Sequence, residues 1–278
     1  MTDTAQPPLP EAALDAKPQK AKEEGLFPFL LKLVVFVFVL RSFIFAPFNI
    51  PSESMLPRLL VGDYLLVSKW SYGYSRHSLP FSLPLIPGRV FASQPDRGDV
   101  AVFKAPPTND VDYIKRVIGL PGDFVQVKGG QIILNGTPVP KKRIADFIVP
   151  VSPNTGCEPP IIAETASDGS RRCRYSRYLE TLPGGRSYAV LDIDTVMMDD
   201  TQIYTVPEGH LFMMGDNRDR SADSRYPAEV GAGIGLVPQE NLVGKAWFSV
   251  FSTDGSAVWY LPWTWFTAAR WDRIGEGF

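Results

Sequence analysis

The chain has 278 residues, of which 45% are hydrophobic and 21% charged, so it can bury the core of one large or two small domains. With 28 basic and 30 acidic residues its net charge is only −2. This composition excludes a fibrous or wholly disordered protein. It also argues against nucleic-acid binding, which depends on clustered Lys and Arg.

The N-terminal part of the chain divides into a polar tail and an apolar span. Residues 1–25 are rich in Pro, Ala, Lys and Glu and lack apolar periodicity, which predicts a disordered tail. Residues 26–48 are apolar apart from Lys32 and Arg41 and match the roughly 20 residues that cross a bilayer. The alternatives are a buried amphipathic helix and a cleaved secretory signal, but the span starts late and ends without a small-residue cleavage site. We predict an uncleaved transmembrane anchor.

The charges beside this span predict its orientation. Lysines are concentrated on its N-terminal side: Lys17, Lys20, Lys22 and Lys32. By the positive-inside rule, the tail is cytoplasmic and the rest of the chain is on the outer face. Cys157 and Cys173, the only cysteines, would then lie in an oxidising compartment where they can form one disulfide, although two separate buried thiols are an open alternative. Their spacing does not resemble a zinc site.

Beyond Pro51 the pattern is that of short antiparallel strands. Runs of β-branched and aromatic residues are separated by Gly-Asp, Pro-Gly and Gly-Gly turns. The predicted strands are 64–69, 100–103, 112–118, 124–127, 131–134, 188–192, 203–206 and 242–251. Between residues 141 and 205 the chain is rich in Pro, Ser and Arg, which indicates an inserted subdomain. The predicted fold class is mostly β.

Two short segments carry candidate chemistry. Ser54 lies in a Pro-Ser-Glu-Ser-Met segment just after the apolar span, and Lys115 lies among Tyr, Ile and Val residues. A serine hydroxyl needs a base to become a nucleophile, and a lysine can be that base only if burial keeps its amine neutral. The two histidines, His77 and His210, lie in loop-like and turn-like segments, so a Ser-His-Asp triad is the weaker alternative.

Four segments, taken in order, resemble the bacterial type I signal peptidases, or leader peptidases, a family of serine peptidases with a Ser/Lys dyad. They are residues 50–55 with 62–63, then 97–100, then 112–123, and finally 215–219 with 221–225. The resemblance extends from about residue 45 to residue 251. It departs at Glu53, where the family often has Gly, and at Arg58, where Thr is common. Because Glu tolerates a positive φ poorly, the first departure puts the backbone conformation of the loop in question.

The resemblance implies a role for each matching residue. Ser54 would be the nucleophile and Lys115 the general base. Ser52 would donate its hydroxyl to the oxyanion beside the Ser54 N–H, and its alternative role is that of an ordinary turn serine. Three further residues would orient or brace the site: Ser221, Asp223 and Arg225. Residues 215–219 are expected to form a polar turn with internal hydrogen bonds, and neither a metal nor an organic cofactor is implied.

The implied architecture is an antiparallel β-barrel-like peptidase domain, residues 49–140 and 206–278, with an inserted β subdomain at 141–205. The implied function is that of a membrane-bound serine endopeptidase. It would remove signal peptides from exported preproteins after small-x-small (Ala-x-Ala) sites, on the outer (periplasmic) face of the bacterial inner membrane. The lipid bilayer would be its second partner.

Three other functions remain open. One is a specialised processing peptidase for pili or conjugation, and another is a non-catalytic, membrane-tethered β domain that binds an envelope partner. A self-cleaving repressor of the SOS type is disfavoured by the anchor and by the lack of a DNA-binding module before Ser54.

The C-terminal part is dense in aromatic residues, especially at 258–266 and around Trp271. Amphipathic aromatic side chains prefer the headgroup region of a bilayer, but they also dominate protein cores. Contact with the membrane and ordinary core packing are therefore equal alternatives for this segment.

Overall fold

The computed structural model describes residues 25–278, so the tail expected over residues 1–25 lies, except for Gly25, outside the described residues. The apolar span begins as helix α1 (Leu26–Val39) and ends in a π-helical turn (Leu40–Ile44). Together these form a helix of 19 residues, Leu26–Ile44, with a mean hydropathy of 2.2, long and apolar enough to cross a membrane. The helix ends before residue 48 because the chain then enters a β-strand.

The chain's contacts divide it after Phe38, and the second part, Val39–Phe278, is mostly β. Its strands are short, as the closely spaced turn residues require. The strands up to residue 138 are β1 (Phe45–Asn49), β2 (Asp63–Ser68), β3 (Tyr74–Ser75), β4 (Arg89–Val90), β5 (Val100–Lys104), β6 (Asp112–Gly119), β7 (Phe124–Lys128), β8 (Gln131–Leu134) and β9 (Thr137–Pro138).

The later strands are β10 (Lys141–Arg143), β11 (Phe147–Pro150), β12 (Ile162–Thr165), β13 (Arg171–Tyr175), β14 (Arg177–Thr181), β15 (Ser187–Leu191), β16 (Tyr204–Thr205), β17 (His210–Met214), β18 (Val237–Pro238) and β19 (Leu242–Ser252). A short helix, α2 (Pro262–Ala268), follows them. The mostly β prediction is confirmed, and each strand predicted from the sequence is present with its ends shifted by a residue or two.

The main sheet has seven antiparallel strands in the order β1-β2-β19-β5-β6-β17-β18, and it curls into half a barrel. The long strand β19 pairs with β2 on one side and with β5 on the other, and its register shifts several times along the way. Such bulges bend a strand and let a sheet close on itself. At Gly244 a side chain would collide with the carbonyl of Ser68 and approach Val67, so only glycine permits this close approach.

An apolar cluster fills the inside of the curled sheet beneath the segment that follows Pro51. Its buried members are Ile50, Met55, Leu59, Leu65, Val100 and Ala246. Met55 and Leu59 are fully buried, and they lie directly after Ser54 in the chain. The core therefore anchors the segment on which the candidate nucleophile lies.

Strands β10 to β15 form two sheets of their own, β10-β14-β15 and β11-β13-β12, and an isolated bridge joins Leu191, at the end of β15, to Asn217. A disulfide joins Cys157, in the loop before β12, to Cys173 on β13. Of the two alternatives that the sequence left open for the cysteines, one disulfide or two separate buried thiols, the structure has the disulfide. Strand β16 pairs with β7, so the region near residue 205 returns to the first half of the chain. The domain limits at residues 140 and 205 stay a prediction.

Candidate active site

The Ser54 hydroxyl and the Lys115 amine meet inside the curled sheet. Ser54 lies in a 3₁₀ turn, Glu53–Met55, and Lys115 lies on β6. The Lys115 Nζ donates a hydrogen bond of 2.6 Å to the Ser54 Oγ across 61 residues of sequence. Both residues are buried, with exposed fractions of 7% for Ser54 and 4% for Lys115. The distance is within the range in which a base can take a proton directly from a nucleophile.

Burial changes the acidity of the lysine. It lowers the pKa of Lys115 from 10.5 to about 8, although the carboxylates of Asp223 and Asp216 act in the opposite direction. No ion pair joins Lys115 to a carboxylate among residues 25–278. A substantial fraction of the amine is therefore neutral in mildly alkaline solution.

Ser52 lies beside Ser54, directly before the 3₁₀ turn. Its Oγ is 3.4 Å from the Ser54 Oγ, a distance at the weak end for a hydrogen bond. The residue is exposed and its backbone is extended. A hydroxyl so placed is available to a group that binds at Ser54, and its function as an oxyanion donor stays a prediction.

Glu53 fits the turn despite the departure from glycine. It begins the 3₁₀ turn and is not among the described residues with a positive φ, so the backbone carries no strain that glycine would relieve. Asn217 holds the turn from the other side. Its backbone N–H donates to the Ser54 carbonyl at 3.1 Å, and its Nδ2 donates to the Glu53 carbonyl at 3.1 Å. Asn217 was not assigned this contact from the sequence.

Arg58, the second departure, is also accommodated. Its guanidinium donates to the Glu276 carboxylate and to the Gly277 carbonyl and lies over the Phe278 ring. A threonine could not reach these partners. The longer side chain therefore joins the segment after the nucleophile to the C-terminal residues.

The polar turn at residues 215–219 is held mainly by partners far away in sequence rather than by internal Asx-type bonds. The Arg116 guanidinium binds Asp216 through two hydrogen bonds, at 2.7 Å and 2.5 Å. Arg218 pairs with Glu180 on β14. All four of these residues are buried. Ion pairs buried this deeply fix the turn, because removing one partner leaves an uncompensated charge.

Asp223 and Arg225 form the next part of the same network. The Arg225 Nε lies 2.8 Å from the Asp223 Oδ1, and both side chains are buried. Asp223 also accepts a hydrogen bond of 3.1 Å from the Gly215 N–H. The bracing role predicted for this pair agrees with these contacts but has no independent test.

The Ser221 hydroxyl is buried and makes no hydrogen bond to the Lys115 amine, although it helps to lower the pKa of the Asp223 carboxyl. Its predicted role in orienting Lys115 therefore stays a prediction. Gly215 explains how close Ser221 lies to Ser54. A Cβ on Gly215 would collide with both the Ser221 Oγ and the Ser54 carbonyl. Only glycine lets these groups approach each other.

A cleft of about 320 Å³ leads to the Ser54 hydroxyl. One wall comes from the end of β1 and the residues after it, and the other from the start of β6. The residues that line it are mostly apolar: Phe48, Asn49, Ile50, Pro51, Ser52, Ser54, Val102, Val111, Asp112, Tyr113, Ile114, Lys115, Arg220 and Ala222. Among the described strands, β1 pairs with β2 alone, and β17 pairs with β6 only from Arg116 onward. Both walls therefore present unpaired strand edges to the cleft.

The two histidines do not join this site. His77 is buried and contacts Ser82 and Arg76, while His210 contacts the carbonyl of Glu208. Within residues 25–278, therefore, no Ser-His-Asp triad forms at Ser54.

One group of carboxylates converges elsewhere. Asp192, Asp199 and Asp219 have oxygens within 4.8 Å of one another. Protein donors already bind each of them: Lys141 pairs with Asp192, and backbone N–H groups bind the other two. No histidine or cysteine belongs to this group, and the arrangement alone does not identify a metal site.

Comparisons with known proteins agree with this geometry. The family model described as "Signal peptidase, peptidase S26" matches residues 24–251. The chain is 39% identical over 243 residues to a protein named "Signal peptidase I" from Rickettsia conorii, covering 84% of this chain and 80% of the relative. The corresponding protein of Rickettsia typhi is 39% identical over 241 residues, with the same coverage of 84% and 80%.

A solved signal peptidase I from Enterococcus faecalis V583 is 25% identical and covers 55% of this chain and 97% of that chain. Its TM-score is 0.28, at which the structural likeness carries no argument.

Proposed function

Because the chain belongs to the signal peptidase S26 family, whose members are serine endopeptidases that remove signal peptides, we propose that it cleaves exported preproteins with Ser54 as nucleophile and Lys115 as general base. The observation that carries this proposal is the 2.6 Å contact between the buried amine and the serine hydroxyl. A buried lysine with no carboxylate partner is poised to accept a proton rather than to hold one.

The reaction proceeds through an ester intermediate. Lys115 takes the Ser54 proton as the oxygen attacks the scissile carbonyl, and the carbonyl becomes a tetrahedral oxyanion. The Ser52 hydroxyl and the Ser54 N–H donate to that oxyanion. Collapse of the tetrahedral intermediate breaks the C–N bond, and the ammonium of Lys115 protonates the leaving amine. The neutral amine of Lys115 then takes a proton from a water molecule, which attacks the ester. The new C-terminus is released, and Lys115 returns the proton to the Ser54 oxygen.

The cleft suggests how the substrate is held. An extended peptide can hydrogen-bond to the free edges of β1 and β6, as in recognition by β-strand addition. Alternate side chains of such a peptide would point into the apolar lining near Ile50 and Ile114. The proposed preference for Ala-x-Ala sites comes from the family resemblance, and it requires that this apolar lining admit only small residues on the N-terminal side of the cut.

We further propose that the helix Leu26–Ile44 anchors the chain in the inner membrane, with the N-terminus in the cytoplasm and the β part on the outer face. The length and hydropathy of the helix are compatible with an anchor, and the lysines before it set the orientation. The disulfide between Cys157 and Cys173 is consistent with an oxidising compartment.

The C-terminal aromatic residues are exposed, which disfavours the core-packing alternative. Exposed fractions are 82% for Trp259, 65% for Trp263 and 49% for Trp265. We propose that they contact the headgroup region. The test places the full chain in vesicles that contain brominated lipids and compares its tryptophan quenching with that of a variant carrying serine at these three positions. Equal quenching in the two proteins would refute this contact.

The decisive experiment uses the detergent-solubilised full chain and a preprotein with an Ala-x-Ala site. Wild type should cleave it, whereas Ser54→Ala and Lys115→Met should not. Lys128→Met, the same substitution at an exposed lysine on β7, is the matched control and should cleave normally. Cleavage by all four proteins would show that the assigned pair is wrong. No cleavage by a folded wild type would favour the tethered binding domain.

A further inference from the structure

A glutamate occupies the turn of the candidate nucleophile, between Ser52 and Ser54. The side chain of Glu53 is 23% exposed, and its Oε2 is buried without a hydrogen bond. Burial raises the pKa of this carboxyl, and Arg220 opposes that rise. An anionic carboxylate here lies next to the groups that must stabilise a developing negative charge on the substrate. Such a charge opposes catalysis unless a cation balances it.

Arg220 is the cation that the structure provides. Its Nη1 lies 3.6 Å from the Glu53 Oε2, and the residue also lines the cleft. Its other partner is the loop after Cys157, where Nη2 donates to the carbonyls of Glu158 and Pro159 at 3.1 Å and 3.2 Å. Its Nη1 also donates to the Glu158 Oε2 at 3.2 Å, so the loop holds the guanidinium while the same nitrogen faces Glu53.

The loop that holds Arg220 is itself fixed. The disulfide ties Cys157 to Cys173 on β13, and Cys173 packs in an apolar cluster with Leu56 and Leu60, which follow the nucleophile in the chain. Tyr175, in the same cluster, is buried, and Glu53 contributes to raising its pKa to about 12, although burial has the larger effect. The disulfide-closed region and the nucleophile's turn therefore form one packed unit.

We propose that Arg220 is a positioning residue, which neutralises Glu53 and thereby holds the turn of Ser54 in its productive conformation. The proposal rests on the proposed function, since it concerns the rate of the same reaction. Arg220 also pairs with Glu158, but the side chain of Glu158 is 78% exposed. Water can replace the guanidinium there, whereas it has little access to the buried oxygen of Glu53. The important partner is therefore Glu53.

The test measures steady-state cleavage of a preprotein by the full chain and four variants: Arg220→Gln, Glu53→Gln, the double variant of these two, and a control. Arg220→Gln should lower kcat between about 10-fold and 100-fold with KM unchanged, because small displacements of reacting groups have effects of that size. Adding Glu53→Gln to Arg220→Gln should restore kcat to within about threefold of the Glu53→Gln single variant, because no unbalanced carboxylate remains. Arg172→Gln, at a half-buried arginine paired with the exposed Asp168, is the matched control and should leave kcat unchanged.

Three results would overturn the proposal. If Arg220→Gln raises KM without lowering kcat, the arginine binds substrate instead of positioning the turn. If the double variant is as slow as Arg220→Gln, Glu53 is not the partner. If Arg220→Gln has the kcat and KM of wild type, the contact between Arg220 and Glu53 does not contribute to the rate. A wild type that cleaves no preprotein would instead reject the proposed function, so the two failures are distinguishable.

A conservative variant covers the case in which Arg220→Gln does not fold. Arg220→Lys keeps the charge but loses the forked contact with the two carbonyls. If charge balance is the role of Arg220, this variant should keep kcat within about threefold of wild type. A folded Arg220→Lys protein with a tenfold or greater loss would overturn the proposal.

Discussion

Lys115 and Arg116 are neighbours on β6 and are equally buried, each with an exposed fraction of 4%, yet they differ in how they hold their charge. Successive side chains of a strand point to opposite faces. Lys115 faces the cleft and Ser54, and burial lowers its pKa to about 8. Arg116 faces the inserted region, where it stacks on the Tyr188 ring and binds Asp216.

The difference shows that a partner, rather than burial, decides the charge of a buried cation. Burial alone would lower the pKa of Arg116 as it does that of Lys115, but the Asp216 carboxylate outweighs it and raises the pKa. On the cleft face no carboxylate of residues 25–278 pairs with Lys115, so this face keeps a base. On the opposite face the Asp216 carboxylate pairs with Arg116, so that face keeps a structural ion pair. We expect substitutions on the first face to affect rate, and those on the second to affect stability.

Replacing Lys115 by methionine should have the largest effect on rate. Without the base, kcat/KM should fall by about 10⁴-fold or more. The free energy of unfolding should not fall. Because the folded pKa lies below that of the unfolded chain, the buried ammonium costs stability in full below pH 8. Thermal unfolding at pH 7 checks this prediction, and a large drop in melting temperature would contradict it.

The same substitution one residue later should have the opposite effect. Arg116→Met leaves the buried Asp216 carboxylate without its partner, which should lower the free energy of unfolding by about 3–5 kcal/mol. Lys115→Met is the matched control, and denaturant titration of both variants measures the difference. Equal stability of the two variants would show that the faces do not differ as we describe.

Ser52 tests whether the cleft face affects rate alone. Ser52→Ala should lower kcat by about 10²–10³-fold through loss of an oxyanion donor. Because Ser52 is exposed, the melting temperature should not change. Ser170→Ala, at a serine that also lies in a turn, serves as the control. A full rate for Ser52→Ala would leave Ser52 as an ordinary turn residue.

The smallest predicted effect is the pH dependence. The pKa of Lys115 is lowered to about 8, and only its neutral amine can accept the proton, so activity should fall about tenfold per pH unit below pH 8. A profile of kcat/KM against pH, with folding checked at each point, measures this limb. A limb at about pH 10.4, the ordinary pKa of lysine, would mean that burial does not lower the pKa of Lys115 as the structure indicates.

Local patterns were enough to predict most of the fold. β6 and β19 are rich in β-branched and aromatic residues and are bounded by turn residues. The end of the apolar span was harder to predict, because the mainly apolar segment Phe45–Asn49 suits a helix and a strand equally well. Its assignment to β1 depends on pairing with β2, which is a tertiary contact. Strands β10 to β14 were also missed, since several of them are rich in Arg, whereas β15 was predicted as residues 188–192.

The candidate site was less accessible to sequence reasoning. Periodicity cannot bring Ser54 to Lys115 across 61 residues; their chemistry made them a candidate pair, and the resemblance to a family assigned their roles. The role of Asn217 was hidden because its segment also fits an isolated polar turn. The contact between Arg220 and Glu53 joins two charges that have no pattern in common, so no local signal could have indicated it.

The facing edges of β1 and β6 would limit which conformations of a protein can be processed, if a preprotein binds to them as proposed. Amide and carbonyl groups are the same in every peptide, so these edges can pair with any extended segment. A folded protein has already paired its own strands and leaves no free strand edge. The cleft would therefore act only on a chain that is still unfolded, and folded proteins beside it would not be cleaved.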